Sequence, residues 1–219
     1  MKRYVVIGLG NFGSTVARTL YSNGHEVIAL DVDASKVDAI AAHVTKAVVG
    51  DGRTMQVLDR VGASGADAGV GGTGDDITAS ILATMALRDL GVRTVYVKVI
   101  SPEHARVMKK LGATETIFPE KESAQSLAAR MINPDSLLNY MRLGSGLSIQ
   151  EMAVPNAWIG KTLMELALRQ RFKVSIVAVH DNLRDDVTIP PDPTAPLKDS
   201  DTLLVVGKEE ALSRVARLS

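Results

Sequence analysis

The chain has 219 residues, with 25 basic and 25 acidic side chains, no net formal charge and no cysteine. Disulfides, thiolate nucleophiles and cysteine-ligated zinc are thereby excluded, and a balanced charge with no basic run argues against a nucleic-acid partner. At 46% hydrophobic and 23% charged residues, one large domain or two small ones is expected, with Val, Ile, Leu and Ala carrying the core because only 4% is aromatic.

Met1-Lys2-Arg3 precedes an apolar stretch, as in a signal peptide, but Gly8, Gly10 and Asn11 interrupt that stretch. A short first strand explains it better. No stretch reaches the ~18 apolar residues of a membrane span, so a cytoplasmic protein is expected, with any membrane association made through a partner. A neutral chain is also less protected against self-association.

In chain order, residues 3–7 read as a strand, 11–21 as a helix, 26–30 as a second strand and 34–41 as a short helix with Val37 and Ile40 on one side. Residues 44–49 form a third β-rich run before Gly50-Asp51-Gly52. A helix over 53–61 follows, placing Met55, Leu58 and Val61 on one face. Residues 68–73 hold too many glycines for a good strand, yet the spacing requires an element there. An amphipathic helix over 75–90 is expected to present Ile77, Ile81, Met85 and Leu90 as its apolar stripe and to stop at Gly91. Residues 94–100 are a strong strand. Ser101-Pro102-Glu103 starts a helix, with Ser as N-cap and Pro at the first position, and 114–118 is a sixth strand.

Strands alternating with helices over short loops predict an α/β fold with a Rossmann-like, doubly wound parallel sheet. Residues 120–141 then read as a long helix, broken at Asn133-Pro134 and followed by a hinge at Gly144-Ser145-Gly146. Beyond it the pattern changes to a strand over 147–154, a helix over 161–170, strands over 173–180 and 202–206, and a loop carrying Pro190, Pro191, Pro193 and Pro196. This is a small α+β domain. The expected division is 1–133, a crossover helix and hinge over 134–146, and 147–219.

The most informative segment is the first turn. A strand runs into Gly8-Leu9-Gly10-Asn11-Phe12-Gly13, a helix follows, and Asp31 ends the next strand. Gly8 allows the tight turn, Gly10 lets backbone approach a pyrophosphate, and Gly13 lets helix and strand pack closely. The helix N-terminus offers N–H groups to phosphate, and Asp31 can accept ribose hydroxyls. His25, His43, His104 and His180 show no zinc-ligand spacing. Neither a nucleophile elbow nor a Walker lysine motif is present. A nucleotide site with no visible catalytic constellation points to sensing, the alternative being a small NAD(P)-dependent oxidoreductase. A redox-sensing DNA-binding repressor would need a basic winged-helix segment, which the chain lacks.

The chain resembles the cytoplasmic regulatory subunits of Trk/Ktr potassium-uptake systems, with an N-terminal RCK domain and a small TrkA-C-type domain. The resemblance rests on GLGNFG at 8–13, GHEVIALDVD at 24–33, VTKAVVGD at 44–51, GDDITASILATMALRDLGV at 74–92, YVKV at 96–99 and LGATETIFPEK at 111–121. SLLNYMRL at 136–143 resembles the family's crossover helix, and IGKTLMELALRQRFKVSIVAV at 159–179 with LKDSDTLLVVGKEEAL at 197–212 resembles its C-terminal domain.

That resemblance implies a non-enzymatic gating subunit binding ATP/ADP or NAD(H). Gly8, Gly10 and Gly13 would cradle phosphates, with Asn11 and Phe12 part of the same nucleotide-binding turn, and Asp31, with Asp33 and Lys36 nearby, would hold the ribose. Asp51 and Gly52 would lie at the adenine edge, and Thr73 and Gly74 would line the switch point. Lys98 would approach the phosphates, and Glu120 would sit near the terminal phosphate, through a cation if a metal is involved. It also implies dimers pairing through the crossover helix, with Leu137, Leu138, Tyr140 and Met141 as the packing face. The dimers would form an octameric ring beneath a dimeric potassium-translocating membrane subunit, at the inner face of the membrane. A second ligand, cyclic di-AMP, would sit at the C-terminal domain near the loop over 189–196. The chain departs from the family at Asn11, often arginine there, and over 69–72, where glycines replace a β-branched strand and are expected to loosen the pocket edge.

Overall fold

The computed structural model describes residues 1–132, 137–144, 146–216 and 218. They fall into two compact units, Met1–Glu120 and Lys121–Ser219. The division therefore comes earlier than position 133, because the helix Pro119–Ile132 starts in the last residues of the first unit and continues into the second.

The first unit carries strands β1 (Arg3–Ile7), β2 (Glu26–Asp31), β3 (Lys46–Val49), β4 (Ala68–Gly71), β5 (Thr94–Lys98) and β6 (Glu115–Ile117). Its helices are α1 (Asn11–Ser22), α2 (Ala34–Ile40), α3 (Met55–Val61), α4 (Ile77–Asp89) and α5 (Pro102–Lys110), followed by α6 (Pro119–Ile132). The sheet order is β3-β2-β1-β4-β5-β6 and every pairing is parallel. Chain order reverses between β1 and β4, so the crevice at their carboxyl ends is the switch point of a doubly wound sheet.

Alternation along β1 feeds two cores. Val5 and Ile7 pack with Leu58, Leu87, Val95 and Met108 on one face, whereas Val6 packs with Ala17, Val27, Val37 and Ile40 on the other. A parallel sheet covered on both sides needs such continuous apolar strands.

The glycine-rich β4 is a genuine central strand, with all four residues buried. The glycines on it and just after it serve close approach. A Cβ on Gly69 would stand 2.6 Å from Leu87 Cδ1, and one on Gly72 would stand 2.7 Å from the Gly8 carbonyl oxygen. The expectation of a loosened pocket edge is therefore corrected: the edge is tight because the glycines let neighbouring backbone close in. The buried face of α4 is not the expected stripe. Ser80, Ala83, Thr84, Ala86 and Leu87 are its buried residues. Ile81 and Leu90 pack at the margin of the core, but Ile77 and Met85 are exposed. Small side chains and Leu87 face the sheet, and the missing side chain of Gly69 leaves the room that Leu87 fills.

The second unit is built on an antiparallel sheet. Its strands are β7 (Leu137–Gly144), β8 (Leu147–Ala153), β9 (Val174–Asp181), β10 (Asp186–Thr188) and β11 (Asp201–Lys208), in the order β10-β9-β11-β8-β7. Its helices are α7 (Leu163–Leu166), α8 (Leu168–Arg171) and α9 (Glu209–Ala216).

Here the long-helix expectation for 120–141 fails. The helix ends at Ile132, and Leu137–Gly144 is a strand paired antiparallel with β8. The short apolar run in this segment carries no decisive period, and the ladder with β8 supplies the backbone partners that decide it. A crossover-helix packing face built on Leu137, Leu138, Tyr140 and Met141 is accordingly overturned as a helical face. The Asn133-Pro134 break and Ser145 of the hinge lie outside the described residues.

The helix expected over 161–170 is two short pieces, because Ala167 adopts a left-handed conformation (φ 47°) between them. Thr162 and Glu165 form a reciprocal capping box at its start. The helix α9 was not anticipated, although Leu212 and Val215, three apart, are buried on one face beside Leu203, Met152 and Trp158. Among the described residues no helix is long and apolar enough to cross a membrane.

Candidate nucleotide site

The carboxyl ends of β1, β2, β3 and β4 open onto one cavity in the first unit. Gly8, at the end of β1, takes φ 88° and donates its N–H to the Leu30 carbonyl at 2.8 Å. Gly13 has no room for a side chain: a Cβ there would stand 1.9 Å from the Gly8 oxygen. Gly10 is the opposite case. A Cβ on it would meet nothing within 4 Å, so the backbone here borders open space. Gly10 is also the N-cap of α1 and supplies no side-chain acceptor. The first-turn N–H groups of α1 therefore lack the usual cap, which is the arrangement that receives an anion.

Asp31, at the end of β2, is buried. Its Oδ2 accepts the Leu9 N–H at 2.6 Å and its Oδ1 accepts the Asp33 N–H at 2.9 Å. These bonds tie the glycine turn to the carboxylate and fix its orientation at the cavity wall. A carboxylate has about four acceptor positions, so Asp31 retains capacity for ribose hydroxyls. Lys36 Nζ stands 3.9 Å from the carboxylates of both Asp31 and Asp33.

The cavity is lined by Gly8, Gly10, Asp31, Lys36, Asp51, Gly52 and Thr73 among the expected residues. The Thr73 hydroxyl oxygen is buried and has no protein partner. An open cradle at Gly10, an oriented carboxylate and an orphan hydroxyl on one cavity fit a nucleotide's phosphate and sugar.

Other expected residues stand off the cavity. Gly13 lies beneath the turn, Asn11 is exposed and Phe12 packs at the margin of the second core. Asp33 caps α2, accepting the Ser35 hydroxyl at 2.6 Å and N–H at 2.9 Å, and these bonds hold its carboxyl below the usual range. Gly74 lies against the aliphatic stem of Lys98. Lys98 is mostly buried and pairs with Glu120 at 2.6 Å and with Asp75 at 3.9 Å. The ammonium holds the Glu120 carboxyl below its ordinary value. Lys98 thus reaches the cavity wall only through Asp75.

Asp75, Asp76 and Arg53 line the cavity and were not among the expected residues. Asp76 caps α4 by accepting the Ala79 N–H at 2.9 Å. Arg53 pairs with Asp51 at 2.7 Å. All three follow the carboxyl end of a parallel strand, the one place such a sheet gathers functional groups. Among the described residues no group of three or more His, Asp or Glu is arranged to hold a metal. In the second unit, Pro190, Pro191 and Pro193 of the proline loop line a separate, shallow cavity with Met164 and Arg169.

The sequence matches the TrkA-N domain over residues 4–119 and the TrkA-C domain over residues 149–219. It is 34% identical over 213 residues to the Ktr system potassium uptake protein A of Vibrio alginolyticus, covering 97% of this chain and 95% of that protein. It is 33% identical, over the same shares, to the Ktr system potassium uptake protein C of Bacillus subtilis (strain 168). The solved GsuK channel bound to NAD superimposes with a TM-score of 0.65 at 20% identity, over 99% of this chain and 39% of that chain. At that identity the likeness is one of fold.

Proposed function

Because the chain belongs to the family of TrkA-N and TrkA-C domain proteins that includes the Ktr potassium-uptake proteins, we propose that it is a regulatory subunit of a potassium-transport system, controlled by a nucleotide bound in the first unit. The observation that carries the nucleotide reading is the open cradle at Gly10 beside the oriented carboxylate of Asp31. Phosphates lie against Gly10 and the N-terminus of α1, the ribose meets Asp31, and the base extends toward the loop after β3. The adenine nucleotides ATP, ADP and NAD(H) are the first candidates.

The protein transmits binding as a change of shape. A ligand biases a partner only by its differential affinity for two shapes of the assembly, and a coupling of ~1–3 kcal/mol between sites suffices. Repeated identical subunits in a closed ring supply the shared interfaces. The ring acts on a membrane potassium-translocating subunit, which brings this chain to the inner face of the membrane. The shallow cavity by the proline loop, with Arg169, is the place for a second ligand such as cyclic di-AMP.

Calorimetric titration of the full chain with ATP, ADP, NAD⁺ and NADH tests the proposal. Saturable binding by at least one of them is expected, and no binding by any would refute an adenine nucleotide as the controlling ligand. NADH absorbance holding steady across a panel of carbonyl and hydroxy-acid substrates separates the sensor from an oxidoreductase.

A further inference from the structure

The loops around the cavity follow the strand order β3-β2-β1-β4. Gly10 marks the phosphate end at β1 and Asp31 the sugar at β2. The next loop outward, after β3, carries Asp51 and Arg53 and faces whatever base follows the sugar. In the family resemblance an aspartate here meets the adenine edge, a role that needs a free acceptor for the exocyclic amine.

Asp51 has little such freedom. Its Oδ1 accepts the Arg53 backbone N–H at 3.0 Å and Nε–H at 2.9 Å. Its Oδ2 accepts Nε–H at 3.0 Å and Nη2–H at 2.7 Å. Three N–H groups of one arginine, with Nε–H shared between the two oxygens, engage most of the carboxylate's acceptor positions. The guanidinium, about half exposed, keeps both Nη1 hydrogens and one on Nη2 unused. The base end of the cavity therefore presents donors where a bare aspartate would present acceptors.

We propose that Arg53 sets the base selectivity of this site by occupying Asp51. A 6-oxopurine, whose O6 and N7 accept from a guanidinium, meets the pair as it stands. An adenine, whose 6-amino group donates, must first part Arg53 from Asp51. The inference rests on the nucleotide reading of the cavity and adds to it the residue that chooses the base.

ADP and inosine diphosphate share phosphates and ribose and differ at the purine C6 substituent, so their affinity ratio isolates this effect. In the full-length Arg53→Ala protein the carboxylate is free, and the ratio should move about tenfold toward ADP. Arg53→Lys keeps the charge without the planar fork and should move the ratio part of the way. An unchanged ratio in Arg53→Ala overturns the proposal. So does an equal loss of both nucleotides, which would make Arg53 a phosphate contact. If neither nucleotide binds to wild type or variant, the nucleotide reading of the cavity fails as well, and that outcome is distinct from binding with an unchanged ratio.

Discussion

On β1, Val5 and Val6 are neighbours, both fully buried, and each belongs to a different core. On β8 in the second unit, burial alternates: Ser148, Gln150 and Met152 are buried and the residues between them are only partly so. The first sheet is parallel and sandwiched by helices, so its carboxyl ends lie at one edge and the loops after β1, β2, β3 and β4 share a cavity. The second is antiparallel, its strand ends alternate from edge to edge, and among the described residues no comparable set of consecutive strand ends converges on one cavity. Parallel topology concentrates chemistry at one place, while antiparallel topology leaves a stabilised surface.

That contrast can be broken from either side. The single tryptophan, Trp158, lies in the core of the second unit and reports on it alone. Leu203→Ala should have the largest effect. Leu203 is fully buried there, and the cavity left behind should cost about 2–5 kcal/mol. Denaturation followed by Trp158 emission measures it, and nucleotide affinity should hold wherever the chain stays folded. If affinity falls in step with stability, the two units are not separable.

Asp31→Ala removes a charged acceptor facing the cavity and leaves the Leu9 N–H unpaired. Hydrogen bonds to a charged group contribute about 1.5–3 kcal/mol, so nucleotide affinity should drop by roughly ten- to a hundredfold in calorimetry. An unchanged affinity would contradict the ribose role. Gly13→Ala forces a Cβ against the Gly8 oxygen. Relief of that overlap should destabilise the first unit by about 1–3 kcal/mol and weaken binding, with native Trp158 emission retained.

The smallest effect concerns the Lys98–Glu120 pair. Glu120 is largely exposed, so its contribution is screened and Glu120→Gln should cost only about 0.2–1 kcal/mol at neutral pH. The carboxyl is held below its ordinary value by Lys98. Its stabilisation is therefore complete above the ordinary carboxylate range and is lost as pH falls through the lowered native value. Thermal melts of the two proteins should converge in acid. A gap that widens in acid would mean that Lys98 is not the partner that matters.

Reading the residues in order reached the doubly wound sheet, because Val and Ile runs separated by amphipathic stretches leave few other arrangements. It reached the turn as well: Gly8 takes a positive φ and Gly13 has no room for a side chain, and Asp31 ends the next strand. It did not reach Arg53, whose role comes from a fork made with a residue two positions away at a sheet edge. The stripe on α4 differs from the expected one because the face toward the sheet is that of Ala83 and Leu87, with Leu87 seated against Gly69, and hydrophobicity alone does not show that Ile77 and Met85 lie off that face.

By itself, then, the sequence determined what local rules govern: strand and helix periods, the obligatory glycines and the acid at the end of β2. The tertiary structure alone decided what depends on a neighbour distant in the chain. Residues 137–144 became a strand because β8 offered an open ladder. Asp31 became the carboxylate that holds the glycine turn because Leu9, 22 residues away, brings its N–H to it, whereas Asp33 and Asp76 cap their own helices. These carboxylates are chemically identical in the sequence, and only the hydrogen-bond donors that folding brings to each of them separate their roles.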